Sequence, residues 1–209
     1  YAYDFQGSLL WNKDFGVLDS GPQRTDLQWG HASSPIISGS AVLLQGDQTK
    51  GSFLVALSVE DGKELWRVDR DGVSGQSWAT PTVVAAGGRT QVVCNGFPLI
   101  ASYELATGKE LWRLKSGGDI PVPAPVFAHG LIFITNAHGG QAPLYAVRPD
   151  ATGDISLTDG RTSNDGIAWI EPRNGAYMQT PLVVDDLIYS CSDGGVLKVY
   201  AAKTGELKY

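Results

Sequence analysis

An all-β fold of repeated four-stranded modules is predicted by three observations. A ten-residue segment is written twice, as DGKELWRVDR at Asp61–Arg70 and as TGKELWRLKS at Thr107–Ser116. The copies stay in phase over a longer stretch, because Pro35 and Pro81 are 46 residues apart and so are Trp66 and Trp112. The chain is cut by 26 Gly and 11 Pro into short apolar runs, with no sustained stripe of 3.6-residue period.

The modules can be written out in order. GSLLW, ending at Trp11, matches GKELW ending at Trp66, so the chain opens on the tail of a unit. In the first full unit PIIS is a strand, Gly39-Ser40 a turn and AVLLQ the second strand; GDQTKG is a loop. SFLVALSV alternates apolar and small residues at period two, as a half-buried strand does. Asp61-Gly62 supplies a hairpin turn with positive φ, and ELWRVD returns as the fourth strand. The second unit repeats this from ATPTVVAAGGRTQVV at Ala79. A third starts at PAPVFAHGLIFIT (Pro123) and carries its aromatic at Trp169; a fourth starts at QTPLVVDDLIYSC (Gln179) and ends TGELKY, with Tyr209 where the tryptophan would sit. The units cover residues 1–15 (partial), 33–70, 79–116, 123–172 and 179–209 of one segment, 1–209.

Units of about 40–50 residues with four antiparallel strands are the signature of a β-propeller. One such sheet cannot bury both its faces, so neighbouring blades must stack. A flat indole placed once per unit suits wedging between sheets, with its N–H meeting a backbone carbonyl. The expectation is an arc of four blades plus part of a fifth. YAYDFQGSLLW reads as a strand pair, so the chain is expected to begin inside a larger protein, and its open edges to favour self-association.

Of the 209 residues 43% are apolar and 18% charged, which fits a packed globular domain. The net charge of −6 argues against a nucleic-acid surface. No apolar run approaches the ~18 residues of a transmembrane helix, and no secretory leader pattern opens the chain.

Few residue patterns point to chemistry. Cys94 and Cys191 fall in corresponding second strands two blades apart, beyond the ~7 Å Cα limit for a disulfide, and are expected to be free, buried thiols. His31, His129 and His138 form no metal motif and read as exposed loop residues. Asp47 and Asp193 follow strand ends, where they form turns or reach the channel or rim; Asp185-Asp186 reads as a hairpin turn. There is no nucleophile elbow and no phosphate loop. No catalytic, cofactor-binding or metal-ligating residue is assigned.

Trp11, Trp66, Trp112 and Trp169 read as structural wedges. Trp29 and Trp78 differ, because each precedes the opening proline of a unit (WGHASSP, SWATP), near one face of the disc. They fit inter-blade packing first and a ligand surface second. The third unit is longer: Pro125 to Trp169 spans 44 residues, against 31 from Pro35 to Trp66. The excess lies in Arg148–Gly166, a polar, Gly-rich stretch expected to project from the disc and to contact a partner. Deleting Ser156–Asp165 is expected to leave folding intact.

DGKELW, TGKELW and TGELKY, each closing a unit that opens with SP, TP or AP, resemble the pyrroloquinoline-quinone (PQQ)-type propeller repeat. The longer strings SFLVALSVEDGKELWRVDRD, SWATP, PLYAVRPDATGDISLTDG, AYMQTPLV and LKVYAAKTGE are similar to a group of uncharacterised bacterial PQQ-like propeller proteins. The family's docking pattern runs A-x-D-x-x-T-G-x-x-x-W. Ala56, Gly62 and Trp66 match it in one unit and Thr107, Gly108 and Trp112 in the next, while Ser58, Glu104 and Ala201 replace the aspartate. The resemblance implies that the arc is part of a closed ring of seven or eight blades, and it implies one of two functions. The first is a non-enzymatic scaffold of the bacterial cell envelope, periplasmic or envelope-associated, with no cofactor and with a protein or small-ligand partner. The alternative is the propeller of a quinone-dependent oxidoreductase, using PQQ with Ca²⁺, whose catalytic residues lie partly outside this chain. The vicinal Cys-Cys of such dehydrogenases is missing here. A carbohydrate-binding propeller is a third, weaker reading.

Overall fold

In the computed structural model, residues 1–21, 29–158 and 160–209 are described. Nineteen strands run through them, and no helix interrupts the order. β1 (Ala2–Tyr3) and β2 (Leu9–Trp11) form a two-stranded pair. β3 (Ile36–Ser38), β4 (Ala41–Gly46), β5 (Phe53–Ser58) and β6 (Glu64–Asp69) make the first complete blade, each strand antiparallel to the one before. After a short β7 (Ser74–Gln76), the second blade comprises β8 (Thr82–Ala86), β9 (Arg89–Cys94), β10 (Phe97–Glu104) and β11 (Glu110–Lys115). The third holds β12 (Val126–Ala128), β13 (Leu131–Thr135), β14 (Leu144–Val147) and, beyond β15 (Gly153–Asp154), β16 (Ile167–Glu171). The last sheet is β17 (Leu182–Val184), β18 (Leu187–Cys191) and β19 (Leu197–Ala201); Leu207 begins a fourth strand against Tyr200. The chain is therefore all-β, an arc of propeller blades.

The period-two patterning sends alternate side chains to opposite faces of each sheet, and both faces are covered. From the first blade, Leu43, Leu54 and Ala56 meet Val92, Cys94, Ala101 and Tyr103 of the second. The intervening Phe53, Val55 and Leu57 point the other way and pack with Trp11, Phe15 and Leu18. The same scheme joins the second blade to the third and the third to the last sheet. β5 is thus buried along nearly its whole length rather than half-buried, because a neighbouring sheet covers each face.

The tryptophans wedge between blades as their spacing predicts. Trp11 Nε1 donates to Val59 O (2.8 Å), Trp66 Nε1 to Leu105 O (2.9 Å) and Trp169 Nε1 to Ala202 O (3.0 Å). Each accepting carbonyl lies three residues before a turn glycine, Gly62, Gly108 or Gly205. These glycines have φ of +68°, +74° and +70°, and each lies directly beneath the indole of the preceding blade. A Cβ at Gly62 would lie 2.5 Å from the Trp11 ring. Glycine is needed here twice over, for the left-handed backbone and for the close approach.

Trp112 departs from the pattern. Its Nε1 donates to the side chain of Gln91 (2.9 Å), and Gln91 Nε2 donates in turn to Pro149 O (2.7 Å). The cause is the long third unit. Its extra segment does not project from the disc. It crosses back over the second blade, where β15 pairs in parallel with β11 and Ile155 is buried beside Trp112. Lys115 N donates to Ser156 Oγ (2.8 Å), so deleting Ser156–Asp165 would remove a strand-edge contact instead of a free loop. Asp159, within that stretch, lies outside the described residues.

Candidate functional site

The linkers that precede the first strand of each sheet are tied to one another. Ser34 N donates to Thr80 Oγ1 (3.1 Å) and Ala124 N to Thr180 Oγ1 (3.2 Å); Thr82 Oγ1 donates to Pro125 O (2.7 Å). Ala32, Trp78, Val122 and Met178 each stand three residues before the opening proline of a unit. Repetition therefore brings them to one place. With Trp29, Ile120 and Tyr177 they line an apolar cavity of about 360 Å³, axial in the sense that equivalent positions of successive blades converge on it.

Trp78 is fixed by two bonds: its backbone N–H donates to Pro121 O and its indole N–H to Gly30 O, both at 2.9 Å. Trp29 leans against it, with ring centroids 5.5 Å apart and a 50° tilt. The indole pair thus packs between blades, as expected, and also lines a concave surface. Trp29 is 48% exposed and Met178 54%, so the cavity wall is open to solvent.

Tyr177 separates this cavity from a polar recess of about 530 Å³, lined by His138, Asn174, Asp193 and Lys198 among others. His138 stacks on Tyr177 with centroids 5.0 Å apart, and its Nδ1 lies 2.5 Å from Asp119 Oδ1. Partial burial, with Asp193 and Asp119 nearby, raises the Tyr177 hydroxyl above its usual pKa. His138 and Asp193 are thus brought to one place, which their sequence positions do not indicate.

Below the face, a buried polar ladder ties the blades together. Gln45 Nε2 donates to Asn95 O (2.8 Å), Asn95 Nδ2 to Thr135 O (3.0 Å) and Thr135 Oγ1 to Ala176 O (2.9 Å). Each step reaches from one blade to the next. Beside it Arg70 grips Asp47 with two bonds (2.7 and 2.9 Å) and donates to Tyr103 Oη (2.6 Å). Arg70 and Asp47 are both fully buried. Asp47 is therefore neither a turn former nor a rim residue, as its sequence context suggested. The Asp47 charge holds the Arg70 guanidinium raised well above its ordinary pKa against the opposing cost of burial.

His31 is half-buried, with Nδ1 3.4 Å from Ser20 Oγ, and burial lowers its pKa against the opposing field of Asp47. His129 and Asp185 sit at positive φ in hairpin turns, as their sequences suggest. Both cysteines are free, but only Cys94 is buried, its thiol pushed up to about 12 mainly by burial; Cys191 is partly exposed.

Among the described residues, no set of side chains fits a quinone with calcium. The buried carboxylate, Asp47, is already held by Arg70 and Gln45. Among the described residues no three His, Cys, Asp or Glu side chains converge on a point where a metal could sit.

No curated protein matches the sequence. BamB from Moraxella catarrhalis superposes with a TM-score of 0.66 at 16% identity, over 97% of this chain and 54% of that one. The quinohemoprotein alcohol dehydrogenase ADHIIG of Pseudomonas putida HK5 gives 0.63 at 16% identity, over 97% and 35%. That of Comamonas testosteroni gives 0.61 at 14%, over 92% and 35%. The chain spans about half the length of the first structure and about a third of the other two. At these identities the likeness is one of fold. The family profile PQQ_2, described as outer membrane protein assembly factor BamB, matches residues 50–163, which hold the repeated decapeptide, the second blade and the crossing insert. More than half of the sequence carries that match, and the chain belongs to this family.

Proposed function

We propose that this chain is a binding scaffold of the bacterial cell envelope, and that its axial aromatic cavity receives apolar side chains of an extended protein segment. The observation that carries this reading is the cavity itself: seven apolar or aromatic residues converge there, four of them from equivalent positions of successive blades. Beneath the cavity, Gln45, Asn95 and Thr135 spend their hydrogen bonds on holding blades together. A rigid rim with an open apolar hollow suits recognition of side chains spaced along a strand. The family description and the envelope setting of an outer-membrane assembly factor support the location.

The test uses intrinsic fluorescence, because Trp29 and Trp78 form the wall. A ten-residue peptide with an aromatic at alternate positions should shift and quench the emission saturably, and Trp78→Ala should weaken binding at least tenfold. Equal affinity of Trp78→Ala and the parent chain would sink the proposal. So would dye-linked alcohol oxidation after incubation with PQQ and Ca²⁺, which would favour the oxidoreductase reading.

A further inference from the structure

We infer that a second cavity, between the second and third blades and beneath the crossing insert, binds an amphiphilic anion: a molecule with an apolar body and an anionic head, of the class of a long-chain carboxylate. The cavity holds about 680 Å³, within the ~300–1,000 Å³ usual for small-molecule sites. Its floor is apolar, formed by Leu114 of β11, Tyr145 of β14 and Ile170 of β16. The insert contributes an outer wall through the half-buried Leu157. The wall exists because β15 pins the insert onto β11, so an irregularity of the repeat creates the cavity.

Three exposed cations stand around this floor: Lys115 at the end of β11, Arg161 on the insert and Arg173 just after β16. Among the described residues none of them is in an ion pair. The described carboxylates of the insert, Asp150, Asp154 and Asp165, line a separate recess. On that side cations stand near the carboxylates, Arg113 by Asp154 and Arg89 by Asp150, whereas the three cations around this cavity have no carboxylate partner among the described residues. Like charges held together around an apolar floor favour a ligand that neutralises them while covering that floor. The site is separate from the axial cavity and shares no residue with it.

The test is calorimetric titration of the whole chain with dodecanoate below its micellar concentration, beside the neutral dodecanol. Dodecanoate should bind at least tenfold more tightly than dodecanol. The double variant Arg161→Glu/Arg173→Glu, altered only at exposed positions, should lose at least tenfold for dodecanoate and nothing for dodecanol. Leu157→Asp should weaken both, and Trp78→Ala neither. Thermal unfolding reports whether each variant is folded, and the comparison of the two ligands on the unaltered chain stands without any variant. Absence of binding, equal affinity for the acid and the alcohol, or loss of dodecanoate binding in Trp78→Ala would each overturn the inference.

Discussion

Replacing Gly108 with alanine tests the wedge that joins the blades. Gly108 has φ of +74°, and a methyl there would lie 2.7 Å from Cε3 of Trp66 and 2.9 Å from Cγ2 of Val68. Carbon atoms pack at ~3.5–4.0 Å, so the indole must retreat by about 1 Å. The left-handed backbone alone costs a non-glycine residue ~1–2 kcal/mol. Retreat also strains or breaks the 2.9 Å bond from Trp66 Nε1 to Leu105 O, a loss of ~0.5–1.5 kcal/mol. Together these give about 1.5–3.5 kcal/mol. Gly39→Ala is the matched control: its φ is +58°, but nothing lies within 4 Å, so it carries the backbone cost alone. Urea denaturation followed by tryptophan fluorescence measures both. Gly108→Ala should be less stable than Gly39→Ala by ~0.5–1.5 kcal/mol. If the two lose the same stability to within about 0.5 kcal/mol, close contact of indole and turn is not what holds the blades.

Two further outcomes follow from buried groups. Arg70→Met leaves the Asp47 carboxylate buried without its partner and should cost ~3–5 kcal/mol, while Arg70→Met/Asp47→Leu should recover much of that; a double variant as unstable as the single one in chemical denaturation would refute this account. Iodoacetamide on the native chain should modify Cys191 first and reach Cys94 only after unfolding, because Cys94 is buried and its pKa lies near 12; equal rates in a peptide map by mass spectrometry would contradict that burial.

Much of the fold was legible because a repeat writes its own register. The 46-residue interval places the strands of the first two blades and the stacking of indole on turn glycine. The exception at Trp112 was not legible. It depends on Gln91, which is fully buried although it closes the polar half of RTQVVC, so nothing in the strand's sequence marks its burial. Asp47 and Arg70 were likewise unreadable as a pair, since β5 lies between them and only the return of β6 brings them together. The axial cavity was half legible: the two tryptophans stood out before their prolines, whereas Val122 and Met178 are ordinary until the blades are arranged around an axis.

The sequence by itself determined the all-β class, the blade repeat and the wedging tryptophans. These depend on local alternation, turn chemistry and a fixed interval, which are all written along the chain. The tertiary structure alone decided where the insert goes, which charges are buried, and which side chains meet at the axis. Those outcomes depend on residues far apart in sequence competing for the same space, and a packed sheet edge with an open hydrogen-bonding ladder captured the segment that polarity alone would have left in solvent.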